Sequence, residues 1–116
     1  MRALLVGLLM LWSSVCGAQR DTESGNYVLL TCPARRSAPE RTYARGICEG
    51  MMSALLRVAS NLEENSRFCP PKDATAGQAF AIARRFVETK LDRSRENFVD
   101  LAVEALRNEW PCKQSD

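Results

Sequence analysis

Cysteine content constrains the fold of this 116-residue chain more than any other feature of its sequence. The five cysteines are Cys16, Cys32, Cys48, Cys69 and Cys112. Disulfides are the expected use of paired cysteines in a small exported domain, whose core is too small to be very stable alone. A zinc site is disfavoured, because no two cysteines have C-x-x-C spacing and the chain contains no histidine.

The first 18 residues have the order of a secretory signal peptide. Arg2 precedes an apolar run over residues 3–12, and small residues fill most of 13–18. This order is typical of the charged, apolar and cleavage regions of an export signal. A membrane-spanning helix would need about 20 apolar residues, more than this run supplies. We therefore expect cleavage after Ala18 and no membrane attachment afterwards.

Cleavage would leave residues 19–116 as one domain with four cysteines, an even number that suggests two disulfides. The alternative is a bacterial lipid anchor on Cys16, but Val15 is branched where such signals prefer Gly or Ala. The formal net charge of the whole chain is only +2. A charge this small favours neither nucleic acid nor an anionic membrane as the partner.

Apolar residues recur at helical spacing in segments that polar residues or prolines separate. We expect a short helix over 26–32, a second from the Ser37 cap to about Leu62, a third over 76–90 and a fourth capped by Ser94. The predicted fold is therefore all-α, a small bundle of about four helices braced by two disulfides.

The second predicted helix carries a long apolar stripe and two glycines. We expect the stripe to be buried; its residues are Tyr43, Ile47, Met51, Leu55, Val58 and Leu62. Gly46 and Gly50 form a G-x-x-x-G pattern, and each costs about 1 kcal/mol of helix stability relative to alanine. Close packing of helices inside the core is the expected compensation, and a contact between subunits is the alternative.

The third and fourth predicted helices have clear boundaries. Pro70 and Pro71 exclude helix before the third, and Thr75 with Gln78 forms a capping box at its start. Its apolar positions are Ala79, Phe80, Ala83, Phe86, Val87 and Leu91. Those of the fourth helix are Phe98, Leu101, Ala102, Ala105, Leu106 and Trp110. Pro111 ends the pattern.

Four cysteines allow three disulfide pairings, and the sequence alone does not choose between them. If neighbouring helices are antiparallel, Cys32 can meet Cys48 at the first reversal of the chain. Cys69, just before the third helix, would then lie beside Cys112, just after the fourth.

The residues of a usual enzyme site are missing. Without histidine, Ser-His-Asp and Cys-His nucleophiles are impossible, and we expect no catalytic residues, no metal and no cofactor. The carboxylates Glu49, Glu63, Glu64 and Asp100 are interpreted as solvated surface charges. Two arginine groups are candidates for charged contacts with a partner: Arg84, Arg85, Arg93 and Arg95, and Arg35, Arg36, Arg41 and Arg45.

Four sequence elements together resemble a known family. They are C-E-G-M at 48–51, F-C-P-P at 68–71, G-Q at 77–78 and A-L-R-N-E-W-P-C at 105–112. This pattern is similar to that of the Rap/Tai family of type VI secretion immunity proteins, over about residues 27–112.

The resemblance implies a periplasmic, all-helical, non-enzymatic protein that blocks the active site of a toxic effector, in the best-known branch a peptidoglycan amidase. It also implies a possible homodimer. The residues that bind the partner are unknown from sequence; loop 61–67 and turn 92–95 are the candidates. The alternative function is a periplasmic stress chaperone or a structural helical protein with no toxin partner.

Overall fold

The computed structural model describes residues 22–32 and 42–113, except the side chains of 42–44. These residues form four α-helices: α1 (Gly25–Thr31), α2 (Thr42–Val58), α3 (Ala76–Thr89) and α4 (Phe98–Glu109). Short 3₁₀ turns, Ala59–Asn61 and Leu91–Arg93, follow α2 and α3. The described part of the chain contains no strand, so the all-α prediction is confirmed.

Several sequence predictions fall outside this part of the chain. The expected signal peptide, residues 1–18, lies outside the described residues, as does the predicted Ser37 cap of the second helix. Of the helices that are described, none has the length and apolar character needed to cross a membrane.

Helix α3 lies at the centre of the bundle, packed against α2 and against α4. Its fully buried positions, Ala79, Ala83 and Val87, recur every four residues, and the two alanines carry small side chains. Small residues on the contact face let neighbouring helices approach closely. The largest fully buried side chains pack around this face: Phe68, Phe98, Met52, Leu101 and Leu106.

The capping box predicted at the start of α3 is confirmed. The Thr75 hydroxyl oxygen accepts a hydrogen bond from the Gln78 backbone N–H at 3.2 Å, and Gln78 Oε1 accepts one from the Thr75 N–H at 2.9 Å. A cap of this kind contributes about 1 kcal/mol. The Pro70 and Pro71 segment before it is non-helical, as its prolines predict.

Two disulfides brace the bundle, and their pairing is the one that antiparallel neighbouring helices favour. Cys69 pairs with Cys112, with Cα atoms 4.8 Å apart, and Cys32 pairs with Cys48, with Cα atoms 6.2 Å apart. The sequence separations are 43 and 16 residues. In the chain-entropy model, these closures stabilise the fold by about 4 and 3 kcal/mol respectively.

The predicted buried stripe of α2 is right at Leu55, which is buried, but the rest of the buried face is shifted by about one helix position. Cys48, Met52, Leu55 and Ala59 form the buried face, whereas Ile47 and Val58 are 48% and 42% exposed. Of the other residues in the stripe, Met51 and Leu62 are half-buried, and the Tyr43 side chain is not described. The disulfide with Cys32 explains the difference, because it holds Cys48 inward and so fixes the rotation of the helix.

The end of α3 and the start of α4 also differ from prediction. Helix α3 ends at Thr89, so Leu91 lies beyond it and is 66% exposed. The cap of α4 is Asn97, whose Oδ1 accepts the Val99 N–H at 2.9 Å, and not Ser94. The backbone carbonyl of Ser94 instead accepts a hydrogen bond from α1.

Helix α1, close to the predicted 26–32, is joined by its backbone to the segment before α4. The N–H of Gly25 donates to the Glu96 carbonyl at 3.0 Å, and the N–H of Asn26 donates to the Ser94 carbonyl at 2.7 Å. In return, the Phe98 N–H donates to the carbonyl of Glu23 at 2.7 Å. The start of α1 therefore satisfies a donor at the start of α4 that would otherwise lack an intrahelical partner.

Gly25 allows this close approach, and replacing it tests the docking of α1. A Cβ atom at Gly25 would lie 3.0 Å from Leu101 Cδ1, 3.0 Å from Val87 Cγ1 and 3.2 Å from the Ser94 carbonyl oxygen. We expect Gly25→Ala to lower the free energy of unfolding by about 1–3 kcal/mol through overpacking, measured by urea denaturation with the disulfides intact.

The matched control is Gly46→Ala, because a Cβ atom at Gly46 meets nothing within 4 Å. Its gain in helix propensity should raise the free energy of unfolding by up to about 1 kcal/mol. Equal effects of the two substitutions would contradict the tight docking of α1.

Candidate partner-binding surface

The two candidate segments for partner binding lie at opposite ends of α3. One is loop 61–67, between α2 and the start of α3, and the other belongs to the connection between α3 and α4. We define the second as the α3–α4 turn, residues 90–97. Because α3 has 14 residues, its axis separates the two ends by about 20 Å, so each segment is a distinct surface.

The backbone of the α3–α4 turn is held from both sides. Within the turn, the Arg93 N–H donates to the Lys90 carbonyl at 2.9 Å, and the Glu96 N–H donates to the Arg93 carbonyl at 3.0 Å. From outside, Gly25 and Asn26 donate to the carbonyls of Glu96 and Ser94. A segment with this many internal bonds loses little conformational entropy when a partner binds.

The Arg93 side chain joins the turn to α4. Its Nη1 and Nη2 atoms donate to the two carboxylate oxygens of Glu104 at 2.9 and 2.8 Å, and its Nε donates to Glu96 at 2.7 Å. These hydrogen bonds lower the pKa of both glutamates and raise the pKa of Arg93. Arg93 was a candidate from sequence for charged contacts with a partner; in the structure it instead joins the turn to helix α4 through Glu104.

The α3–α4 turn exposes one large apolar side chain and two charged side chains. Leu91 is 66% exposed, and Asp92 and Arg95 are also exposed. Neither Asp92 nor Arg95 has a hydrogen-bond or ion-pair partner among the described residues. Leu91 was missed as a surface residue, because its spacing continues the apolar pattern of α3; the polar Lys90 and Asp92 beside it are the signal that the helix has ended.

Loop 61–67 is ordered by hydrogen bonds but polar. The Arg67 N–H donates to the Glu63 carbonyl at 2.8 Å, and the guanidinium of Arg107 donates to the Asn65 carbonyl. No large apolar side chain is exposed within this loop. It therefore offers no large apolar side chain for burial in an interface.

Most of the described arginines proposed for charged contacts are already paired. Arg84 donates to the Cys32 carbonyl at 3.1 Å and pairs with Glu88 at 2.8 Å. Arg45 pairs with Glu49 at 2.8 Å. Of the remaining candidates, Arg35, Arg36 and Arg41 lie outside the described residues. Arg85 and Arg95 are thus the cations of the two groups that have no partner within the described part of the chain.

Arg85 borders a shallow groove between α3 and α4. Its two adjoining cavities, of about 190 and 380 Å³, share Ile82, Arg85 and Glu109 as lining residues. Phe86 lines one cavity and Trp110 the other. The groove is wide open to solvent, unlike the enclosed pockets that bind small molecules.

The cysteines and carboxylates of residues 22–32 and 42–113 form no metal-binding group. All four cysteines there are in disulfides, and no group of three or more Cys, Asp or Glu side chains could hold a metal ion. Among the carboxylates considered from sequence, Glu49 is paired with Arg45, and Asp100 is exposed in the first turn of α4. Glu63 and Glu64 are exposed in loop 61–67.

A comparison with known proteins agrees with the resemblance in the sequence. Residues 24–112 match the family model of Rap1a immunity proteins. The match extends from the N-cap of α1 to Cys112 and so includes all four helices and both disulfides. No curated protein and no solved structure matches the chain.

The brace between Arg93 and Glu104 predicts a pH dependence of stability. The pKa of Glu104 lies below its usual value of 4.5 in the folded chain, chiefly because Arg93 donates hydrogen bonds to it. Its contribution to stability is therefore complete above the unfolded pKa and is lost as the pH falls through the folded pKa. Glu104→Gln should be less stable than the wild type at neutral pH, with a gap that narrows once the pH falls below the usual glutamate pKa and closes below the folded pKa of Glu104.

Urea denaturation across this pH range measures the gap. Glu109→Gln is the matched control on the same helix, because Glu109 is exposed and has no described ion-pair partner. A gap for Glu104→Gln that stays constant with pH would show that the brace does not stabilise the fold through its charge.

Proposed function

The chain belongs to the Rap1a immunity protein family, and from this premise we propose that it binds and inhibits a type VI secretion effector in the periplasm. The effector that we propose is a peptidoglycan amidase, and the inhibition is a block of its active site. The single observation that carries the proposal is the family match over residues 24–112, which spans the whole described bundle.

The bundle has the properties that such an inhibitor needs. The two disulfides suit an oxidising compartment such as the periplasm, and residues 1–18 have the pattern of an export signal. An inhibitor acts by occupying a site and needs no catalytic group. The proposal therefore includes neither an enzymatic activity nor a cofactor.

We assign the blocking contact to the α3–α4 turn in preference to loop 61–67. Both segments are ordered, but the turn alone exposes a large apolar side chain, Leu91, close to an unpaired arginine, Arg95. Arginines are enriched among the residues that contribute most to protein binding, and an exposed leucine offers apolar area whose burial favours association. The backbone bonds to α1 and the Arg93 brace hold these side chains in place before binding.

The first test is inhibition by the processed domain, residues 19–116, with its disulfides intact. A peptidoglycan hydrolase captured by this domain from the supernatant of competing cells should lose its activity when an equimolar amount of the domain is added. The measurement is release of soluble fragments from purified peptidoglycan. In cells, the full chain should protect against the same effector, whereas a chain that lacks residues 2–18 should not.

Other outcomes would reject the proposal. A captured hydrolase whose activity is unchanged at equimolar amounts would exclude inhibition. Capture of many unrelated unfolded proteins, above all after acid treatment, would favour the periplasmic chaperone. Full protection by the chain without residues 2–18 would contradict action in the periplasm.

The second test separates the two candidate surfaces. Leu91→Asp and Arg95→Glu should each weaken binding to the effector at least tenfold, or about 1.4 kcal/mol, because they remove the anchor and the cation of the turn. Isothermal titration calorimetry would measure the change. The matched control is Glu64→Arg, an exposed charge reversal in loop 61–67.

The three variants distinguish the α3–α4 turn from loop 61–67 as the blocking contact. Loss of affinity confined to Glu64→Arg would move the blocking contact to loop 61–67. Unchanged affinity in all three variants would exclude both segments while leaving the immunity function intact. Since Leu91, Arg95 and Glu64 are all exposed, circular dichroism should show native helix content in every variant.

A further inference from the structure

Helix α1 places apolar side chains in solvent next to the α3–α4 turn. Of the five large apolar side chains that are exposed in the described part of the chain, three belong to α1 and the turn: Tyr27, Leu30 and Leu91. Leu30 is 81% exposed, more than any of the others. Helix α1 contains no charged residue. We call Asn26, Tyr27 and Leu30 the α1 outer face.

The helix repeat puts these three residues on one side of α1. At about 100° per residue, Leu30 lies about 40° from Asn26 around the helix axis, and Tyr27 lies about 100° from it. Gly25 and Val28, on the opposite side, are buried. The α1 outer face is therefore directed away from the core.

Backbone hydrogen bonds join the α1 outer face to the α3–α4 turn. The Ser94 N–H donates to the Leu91 carbonyl at 3.2 Å, and the Ser94 carbonyl accepts the Asn26 N–H at 2.7 Å. One residue of the turn thus bonds both to Leu91 and to the first residue of the α1 outer face. Leu30 lies one helical turn beyond Asn26, about 6 Å along the axis. The two exposed surfaces therefore adjoin each other.

Helix α1 is fixed at both ends. Its start is bonded to the turn, and at its end Cys32 is joined to Cys48 by a disulfide. The carbonyl of Cys32 also accepts a hydrogen bond from Arg84 Nη1 at 3.1 Å. The hydrogen bonds of Tyr27 within the described residues involve only its backbone, so its hydroxyl is available to a partner. A helix held in this way loses little conformational entropy on binding.

The α3–α4 turn alone is small for a blocking contact. A standard interface buries about 800 Å² per partner and draws on about 20–30 residues of each, whereas the turn spans only residues 90–97. Tight inhibition therefore needs further surface beside the turn. Among the described helices joined to the turn, α1 alone exposes large apolar side chains.

From these observations we propose that the α1 outer face is a second part of the effector-binding surface, an inference that rests on the proposed function. The effector presents an apolar surface to Tyr27 and Leu30, and next to it an acidic group that pairs with Arg95. Tyrosine and arginine are both enriched among the residues that contribute most to protein binding. Burial of the exposed Leu30 side chain adds apolar area to the contact.

The experiment is isothermal titration calorimetry of residues 19–116, disulfides intact, against the captured hydrolase. Leu30→Gln removes apolar area without adding charge, and glutamine is nearly as good a helix former as leucine. We expect its affinity to fall about tenfold, the order that burial of a leucine side chain gives. Val58→Gln is the matched control and should bind as the wild type does. Val58 is also exposed near the end of its helix, but it leads towards loop 61–67.

Urea denaturation separates a lost contact from a damaged fold. Leu30→Gln should leave the free energy of unfolding unchanged, because the Leu30 side chain is mostly in solvent. If this substitution does destabilise the domain, Tyr27→Gln takes its place, with the same expected loss of affinity.

The remaining outcomes distinguish failure of this contact from failure of the proposed function. Wild-type affinity in Leu30→Gln and Tyr27→Gln, together with weak binding by Leu91→Asp, would overturn the α1 contact and leave the immunity function intact. An equal loss in Val58→Gln would overturn the choice of face. A wild-type domain that binds no hydrolase would reject the proposed function, and the α1 contact with it.

Discussion

The connection between Cys69 and Cys112 fixes the arrangement on which the rest of the bundle depends. The disulfide and the hydrogen bond from the Cys69 N–H to the Trp110 carbonyl, at 2.8 Å, join the segment before α3 to the segment after α4. With these ends held together, α3 and α4 must run antiparallel. Their buried faces then meet along their full length, and the chain between them must reverse within residues 90–97.

This constraint explains why the α3–α4 turn presents a well-defined surface. The turn is short, and its carbonyls accept hydrogen bonds from the first residues of α1. Arg93 adds charged hydrogen bonds to Glu96 and Glu104. An inhibitor whose contact segment is ordered before binding loses less entropy in the complex. The same bonds therefore serve the fold and the proposed block of an effector.

The sequence predicted the helices better than their orientation. Residues with local chemistry were assigned correctly, such as Thr75 and Gln78, whose capping box depends only on residues three apart. The buried stripe of α2 was only partly assigned correctly, because large apolar residues continue around the helix from Met52 through Met51 to Ile47. Periodicity gives a broad apolar arc, and only the bridge between Cys48 and Cys32 selects which part of it faces the core.

The candidate surface was predictable in part. Turn 92–95 was among the segments chosen from sequence, since polar residues interrupt the apolar pattern there. The exposure of Leu91 was not predicted, because its spacing continues the apolar pattern of α3. The choice of Asn97 over Ser94 as the cap was not predicted either, because it accompanies backbone bonds to Gly25 and Asn26. Those partners lie about seventy residues earlier in the chain, a separation that no local pattern reports.

By itself, the sequence determined the helical class, the boundaries set by prolines and caps, the absence of histidine chemistry and the family. These properties depend on residue type and short spacing, and they persist whatever the helices pack against. Tertiary structure decided the rotation of α2, the exposure of Ile47 and Val58 that this leaves, and the brace of Arg93 on Glu104. Each of these depends on contacts between distant segments, whose geometry exists only after the chain has packed.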